Sequence, residues 1–277
     1  MVSDPAGLSA QLYATEQPLA VRVRTHRLYT QPPVDFPAWV LDHVTWRGDE
    51  WVLDVGCGSG AYVEPLCGRL AHGGFLLAGD LSWGMLRDVA AKSLPVSVGL
   101  LNADAMRLPL PDCCCDVVLA NHMLFHVPQM EAAAMEFHRV LRPGGGHLLA
   151  ATNSRDCLRA FITEIEEAGR ALGCPGVTLP VSPHVRFTLE NGWAVLSPCF
   201  PDVVQDVVES ALVFSDAAPA VAYIDSLRPT YEPWLPDGIA WETLIEQVER
   251  QVRAQIAAQG AYRVAKTGGV FVATRKM

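Results

Sequence analysis

Between residues 51 and 152 the chain alternates short, continuous apolar runs with longer stretches in which apolar residues recur at helical spacing. The apolar runs span residues 51–55, 75–80, 97–104, 116–121 and 147–152. Such runs are typical of parallel strands that helices cover on both faces. The pattern therefore predicts repeated βα units and an α/β fold.

Helices are predicted between these strands. Residues 61–71 and 82–92 have helical spacing, and Ser82 is a candidate N-cap for the second of them. Another helix begins near Met130 and ends before Pro143-Gly144, because proline and glycine do not continue a helix.

The two flanks of this region differ from it. Residues 1–46 are predicted to be mostly helical, with a break at Gln31-Pro32-Pro33. Beyond residue 154 the pattern predicts helices at 155–172, 217–227 and 241–258, and strands at 203–214 and 268–275. We therefore expect three segments: an N-terminal helical lid (1–46), a cofactor-binding core (47–154), and substrate cap elements with the last two strands (155–277).

Composition and charge exclude several classes of protein. The 277 residues are 50% hydrophobic and 18% charged, which is typical of a globular protein. The net charge of -9 argues against a nucleic-acid partner, and no apolar run reaches about 18 residues, so no membrane span is expected. The N-terminus has no signal-peptide pattern, so we expect a cytoplasmic protein with its eight cysteines reduced.

The segment WVLDVGCGSG, residues 51–60, is a glycine-rich turn between a buried strand and a helix. Glycines at 56, 58 and 60 permit positive φ and allow a ligand to approach the backbone. With Ala61 the same spacing also satisfies the dinucleotide fingerprint. Asp80, 20 residues beyond Gly60, suits a ribose hydroxyl in either case, so the glycines alone leave an NAD-dependent oxidoreductase open.

Asp54, just before the first of these glycines, bears on the choice of cofactor. A carboxylate is repelled by a pyrophosphate but attracted by a cation. S-adenosylmethionine carries a sulfonium and an ammonium group and no phosphate, so it suits this position. A purely structural role, in which Asp54 accepts hydrogen bonds from turn amides, stays open.

Polar residues also follow the third and fourth predicted strands. Asp104 can accept from an adenine amine while Ala105 leaves room for the ring, and Asn121 ends the fourth strand. The carboxyl ends of parallel strands meet at one edge of the sheet, where ligands bind. We therefore expect Asp54, Asp80, Asp104 and Asn121 to belong to one site.

Five motifs in order carry a family resemblance: LDVGCGSG, GDLSWGML, NADAMRLPLPD, DVVLANHMLFHV and HRVLRPGGG. They closely resemble those of class I S-adenosylmethionine-dependent methyltransferases, particularly the small-molecule group with ubiquinone- and menaquinone-type and methyltransferase type 11-like members. The resemblance covers residues 51–152. It implies a Rossmann-like, seven-stranded, mostly parallel sheet whose antiparallel last strand lies beside the sixth, with an N-terminal helical lid and an inserted helical cap.

The resemblance also implies roles for single residues. The methionine part of the cofactor would contact the turn and the end of the fourth strand, and its ribose and adenine would contact the ends of the second and third. The residues that would contact the methionine part are Gly56, Cys57, Gly58, Gly60 and Asn121. Those that would contact the ribose and adenine are Asp80, Leu81, Asp104 and Ala105.

Residues 13–33 are similar to the lead-in of some family members. This likeness suggests that Tyr13, Arg22, His26 and Tyr29 lie on a helix that closes over the cofactor, with Arg22 paired to the cofactor carboxylate. An ordinary solvated arginine is an equal alternative for Arg22.

The predicted activity is methyl transfer to a small-molecule acceptor at oxygen, nitrogen or carbon by in-line SN2 displacement. A base is needed only if the acceptor arrives protonated, and His122 and His126 are the candidates. For His126 a packing or substrate-binding role is the stronger interpretation. The alternatives are an NAD-dependent oxidoreductase and a non-catalytic S-adenosylmethionine-binding module; the oligomeric state is expected to be monomer or homodimer.

Three consecutive cysteines, Cys113, Cys114 and Cys115, interrupt the family pattern before the fourth strand. Vicinal thiols bind soft ions, which leaves thiol-based arsenite methylation as a further alternative. Adjacent strand residues point to opposite faces, however, so the three thiols converge only if the chain turns there. We expect the cysteines to pack as apolar side chains and predict no metal site.

Overall fold

The computed structural model describes residues 16–70, 73–94, 98–174, 176–180 and 183–277. The chain divides into two compact units. The strand-rich unit comprises Asp35–Arg155, His184–Val208 and Gly268–Met277. The helical unit comprises residues 16–34 together with the described residues of Asp156–Pro183 and Glu209–Thr267. The predicted division into three consecutive segments stays a prediction.

The described residues form a mixed sheet of eight strands in the order β1-β7-β8-β6-β5-β2-β3-β4. The strands are β1 Thr30–Gln31, β2 Trp51–Val55, β3 Phe75–Asp80, β4 Val98–Asn102, β5 Val117–Leu119, β6 Gly146–Asn153, β7 Val204–Phe214 and β8 Tyr262–Arg275. Strands β2 to β6 pair in parallel with one another. The last strand, β8, runs antiparallel to β6, with Gly146 opposite Arg275 and Asn153 opposite Gly268.

The helices are α1 Glu16–Tyr29, α2 Phe36–Leu41, α3 Val63–Arg69, α4 Trp83–Ala90, α5 Met130–Val140, α6 Arg159–Ala171, α7 Gly192–Leu196, α8 Ala217–Asp225, α9 Arg228–Tyr231 and α10 Trp241–Gln259. Short 3₁₀ turns occupy Leu124–His126, Pro183–Arg186 and Glu232–Trp234. Within the described ranges no helix combines the length and the apolar character needed to cross a membrane.

The predicted Rossmann-like α/β sheet and its antiparallel last strand are confirmed. Strands β2 and β3 have the predicted bounds, and the predicted break in the first segment falls between α1 and α2. The sheet has eight strands instead of seven, because Thr30 and Gln31 pair antiparallel with β7. Ser82 occupies the N-cap position of α4, but its side chain makes no capping hydrogen bond.

The strand-rich unit buries both faces of its sheet, which explains why its strands are continuously apolar. Along β2, Leu53 faces a cluster that includes Phe137 of α5, Phe200 and Phe271. Val52, on the opposite face of the same strand, packs against a cluster that includes residues of α2, α3 and α4. In the helical unit, Phe161 stacks on Tyr223 at 4.4 Å between ring centroids.

Close packing of α7 on β8 requires glycine at position 192. A Cβ at Gly192 would overlap the ring of Phe271, which is fully buried. We expect Gly192→Ala to lower the free energy of unfolding by about 1–3 kcal/mol, because the overlap forces the core to move. The matched control is Gly68→Ala in α3, where a Cβ meets nothing within 4 Å and alanine favours the helix by up to about 1 kcal/mol. Urea denaturation of both variants checks this, and equal stabilities would contradict the packing of α7.

Candidate functional site

The glycine loop between β2 and α3 has a backbone conformation that favours glycine at three positions. Gly56, Gly58 and Gly60 have φ of 66°, 54° and 80°, a region that side chains disfavour. At Gly56 a Cβ would also lie 2.6 Å from the Cβ of Met123, whereas Gly58 has nothing within 4 Å of that position. The loop therefore packs on one side and leaves room for a ligand beside Gly58.

Hydrogen bonds from the neighbouring elements hold this loop. The Cys57 amide donates to the Gly79 carbonyl at 2.9 Å, and the Gly58 amide donates to Oδ2 of Asp80 at 2.9 Å. Lys92 Nζ donates to the Gly60 carbonyl at 2.8 Å. The sequence motifs did not reveal Lys92, because nothing in its local pattern distinguishes it from an ordinary surface lysine.

Asp80 joins the glycine loop to the start of α4. Its Oδ1 accepts from the Ser82 amide at 2.8 Å while Oδ2 accepts from Gly58. Asn102 Nδ2 donates to the carbonyls of Asp80 and Leu81 at 3.0 and 2.8 Å, and the Leu81 side chain is 73% exposed. Each carboxylate oxygen retains a second lone pair, so Asp80 can still accept from a ligand hydroxyl.

Asp54 is buried near the carboxyl end of β2. Only 1% of the residue is exposed, and its Oδ2 atom has no hydrogen-bond partner among the described residues. Burial, and secondarily the negative charge of Asp80, raise the pKa of the Asp54 carboxyl to about 7. The group is therefore poised between its neutral and charged forms near neutral pH.

Two further buried polar groups lie in the same unit as Asp54. Asn121, which follows β5, accepts at Oδ1 from the Ala151 amide at 2.9 Å, while its Nδ2 has no partner within the described ranges. The Tyr62 hydroxyl is likewise unpartnered there, and burial followed by the charge of Asp54 raises its pKa. Since β2 and β5 are parallel neighbours, Asp54 and Asn121 lie at the same edge of the sheet. Tyr62 was missed because only its burial distinguishes it.

Asp104 and Ala105 follow β4 at this same edge, since Asp80 lies opposite Asn102 in the parallel pairing. Asp104 Oδ1 accepts from the Met106 amide at 2.8 Å, and Ala105 is 7% exposed. The structure therefore brings the four predicted polar positions to the carboxyl ends of neighbouring strands.

The two candidate bases lie in the segment after β5. His122 has a positive φ of 54°, and its ring is 5.4 Å from that of Phe36. His126 lies in the following 3₁₀ turn, where burial and then the charge of Arg186 lower its pKa below the ordinary value of 6.5. His126 is therefore neutral at pH 7 and able to accept a proton.

Arg186 fixes the segment that carries His126. Its guanidinium donates to the carbonyls of Phe125, Val127 and Pro128 at 3.1, 2.9 and 3.1 Å. The sequence interpretation missed Arg186, because the contact joins positions about 60 residues apart.

Arg22 and Tyr29 belong to α1 in the helical unit. The Tyr29 ring lies 4.9 Å from that of Phe214. The suggestion that these two residues close over a cofactor stays a prediction, and Tyr13 lies outside the described residues.

The three cysteines meet the condition for convergence in part, because the chain turns just before β5. They precede β5 in a turn, where the amides of Cys114 and Cys115 both donate to the Val140 carbonyl at 2.8 and 2.9 Å. This turn brings the sulfur atoms of Cys114 and Cys115 to 3.6 Å from each other. Cys115 packs in the core as expected, whereas Cys113 is exposed.

Comparison with known proteins agrees with this geometry. Residues 53–149 match a family model described as a methyltransferase domain. The chain is 32% identical over 114 residues to a demethylmenaquinone methyltransferase of Lysinibacillus sphaericus, over 37% of this chain and 49% of the relative. It is 33% identical over 109 residues to nocamycin O-methyltransferase of Saccharothrix syringae, over 38% and 39%. The chain thus spans about half the length of these relatives or less.

Solved structures share the fold at low sequence identity. A putative methyltransferase from an antibiotic biosynthesis pathway of Anabaena variabilis has a TM-score of 0.59 at 16% identity, covering 86% of this chain and 96% of that one. A putative methyltransferase of Bacillus halodurans has a TM-score of 0.56 at 17% identity, covering 87% and 99%. The family model, the curated relatives and the fold agree that residues 53–149 are similar to the methyltransferase domain of class I S-adenosylmethionine-dependent methyltransferases.

Proposed function

We propose that this protein transfers a methyl group from S-adenosylmethionine to a small-molecule acceptor. The observation that carries the proposal is a pair of buried, incompletely bonded groups, Asp54 and Asn121, at the carboxyl ends of two neighbouring strands. Buried polar atoms are nearly always hydrogen-bonded in folded proteins. The hydrogen-bond acceptor Oδ2 of Asp54 and the hydrogen-bond donor Nδ2 of Asn121 suit a ligand that carries an ammonium and a carboxylate group.

The same geometry disfavours a dinucleotide. A pyrophosphate above the glycine loop would lie near two carboxyl groups, of which Asp80 is bonded directly to the loop amide of Gly58. An ammonium near Asp54 would instead favour the charged carboxylate that burial penalises. This electrostatic argument supports S-adenosylmethionine over NAD.

The chain's residues would divide the work of binding. Asp54, Asn121 and the loop from Gly56 to Gly60 would hold the methionine part, with Cys57 in that loop. Asp80 and Leu81 would contact the ribose, and Asp104 and Ala105 the adenine. When bound, the cofactor supplies a methyl group activated by its sulfonium, so the protein has mainly to align the acceptor and exclude water.

A neutral imidazole at His126 would take up the proton that a methyl-accepting phenol, enol or carbon acid releases. Arg186 supports this role, because it fixes the segment and its charge disfavours the protonated ring. His122 is the second candidate in the same segment.

The relatives' names, which refer to demethylmenaquinone and nocamycin, support a metabolite as the acceptor. The proposal includes a helical lid at residues 1–46, with Arg22 and Tyr29 facing the cofactor, and acceptor-binding elements within residues 155–277. It also includes action in the cytoplasm as a monomer or homodimer.

Asp54 gives cofactor binding a characteristic pH dependence. Its raised pKa means that the free carboxyl is protonated below about pH 7, and a bound ammonium must displace that proton. We expect the affinity for S-adenosylhomocysteine, measured by calorimetry, to rise by up to roughly tenfold per pH unit below the pKa and to level off above it. Asp54→Asn should bind weakly with no such dependence, while Asp42→Asn, at an exposed position, should keep it.

A flat affinity profile in the unmodified protein would contradict the role of Asp54. Binding of NAD with no binding of S-adenosylhomocysteine would overturn the proposed function.

Substitution of Asp80 tests the proposed contact with the ribose. We expect Asp80→Ala to weaken S-adenosylhomocysteine binding by about 1.5–3 kcal/mol, because a charge-assisted hydrogen bond and the anchor of Gly58 are both lost. Asp80→Asn keeps an oxygen that can accept from an amide, so its loss should be smaller. Asp88→Ala, on the exposed side of α4, is the control. Equal affinities for all three variants would contradict the assignment.

The lowered pKa of His126 predicts how turnover varies with pH. Because the neutral ring is the base, the rate of methyl transfer should fall as the pH falls through a value below 6.5. His126→Gln should lower kcat and remove that limb of the profile while leaving cofactor affinity unchanged. His138→Gln is the control, since burial lowers the pKa of His138 outside this segment. A screen of phenolic, enolic and amine acceptors provides the assay, and unchanged kcat in His126→Gln would exclude the base.

A further inference from the structure

A second feature of the strand-rich unit lies at the opposite edge of the sheet from the glycine loop. A cavity of about 100 Å³ is lined by Trp51, Val52, Phe75, Leu77, Leu110, Pro111, Cys114 and Cys115. Trp51 and Phe75 are the first residues of β2 and β3, whereas the glycine loop follows the last residue of β2. A five-residue strand spans roughly 16 Å, so this cavity is separate from the proposed cofactor site.

The walls of the cavity are apolar. The rings of Trp51 and Phe75 lie 5.2 Å apart, and Trp51 is 50% exposed at the rim. Asp116, which follows Cys115, is already bonded to Arg142 at 2.6 and 2.7 Å and to the Trp51 amide at 2.8 Å. The sulfur atoms of Cys114 and Cys115 are therefore the groups of this lining that suit a soft ligand.

The backbone presents these two sulfur atoms together. Both cysteine amides donate to the Val140 carbonyl, and the turn leaves the two sulfur atoms 3.6 Å apart. Among the described residues no group of three or more His, Cys, Asp or Glu side chains is arranged to hold a metal ion. A metal ion that needs three or four protein ligands is therefore not matched to this site.

We propose that Cys114 and Cys115 form a dithiol site for trivalent organoarsenic compounds that carry one aryl group. Such an arsenic atom can form two bonds to sulfur, and its aryl group is apolar. Soft thiols are its preferred partners, and the aromatic walls of the cavity receive the aryl ring. In other proteins, dry apolar cavities of roughly 150 Å³ hold a benzene molecule. An aryl ring would therefore fill this cavity of about 100 Å³ and extend towards Trp51, which is 50% exposed.

The reaction is a condensation without oxidation or reduction. With phenylarsine oxide, two arsenic–sulfur bonds form, both S–H bonds and the arsenic–oxygen bond break, and the oxygen leaves as water with the two thiol protons. Arsenic stays trivalent throughout. Release requires a competing dithiol, because a single thiol cannot replace both bonds at once.

The test is titration of the whole chain with phenylarsine oxide, followed by native mass spectrometry and by counting free thiols. We expect one phenylarsenic group per chain, the loss of two free thiols, and reversal by 2,3-dimercaptopropanol but not by 2-mercaptoethanol. Cys114→Ala and Cys115→Ala should each weaken binding by roughly a hundredfold, because a two-point attachment becomes a single bond. Cys113→Ser is the matched control in the same tripeptide and should bind like the unmodified chain.

One further variant tests whether the aryl group occupies the cavity. Trp51→Ala should weaken phenylarsine oxide binding but not that of inorganic arsenite, which has no aryl group to place in the cavity. Binding that persists in Cys114→Ala, or that is lost in Cys113→Ser, would overturn the proposal. If Cys115→Ala does not fold, Cys114→Ala at its half-buried position decides the result, with the thermal melting curve as the folding check.

Discussion

The buried carboxyl group of Asp54 is the constraint on which the rest of the candidate site depends. A charged group with 1% exposure and an unpartnered oxygen is costly, and the protein accommodates it by raising its pKa to about 7. Folding thus leaves a polar group whose charged form a nearby cation would stabilise. The loop anchors at Asp80 and Lys92 hold the adjacent backbone in place, so binding does not have to order it.

The parallel sheet separates two kinds of chemistry in the strand-rich unit. The carboxyl ends of β2, β3 and β5 carry Asp54, Asp80 and Asn121, whose oxygen and nitrogen atoms suit a charged cofactor. The amino ends of β2 and β3 carry an aromatic pair beside two thiols, which suit a soft and apolar ligand. Strand direction alone places these sets at opposite edges, because side chains cannot move along the strand that holds them.

Much of the fold was predictable because its signals are local. Buried parallel strands are recognisable as apolar runs, so β2 and β3 were predicted with their bounds, and the motifs identified Asp80, Asp104 and Asn121 as one group. The convergence of Cys114 and Cys115 stayed open at the level of sequence, because it depends on a turn in which two amides share the carbonyl of Val140. That contact joins residues about 25 positions apart, which no local pattern reveals.

By itself the sequence determined the α/β class, the glycine loop and the order of polar residues at the strand ends. These follow from the two-residue period of strands, from the conformational freedom of glycine and from residue types at fixed spacing. Only the tertiary structure decided that Asp54 is desolvated, that Tyr62 is buried with it, and that Arg186 holds the segment of His126. Burial and long-range hydrogen bonds are properties of packed neighbours, and those neighbours meet only after the chain has folded.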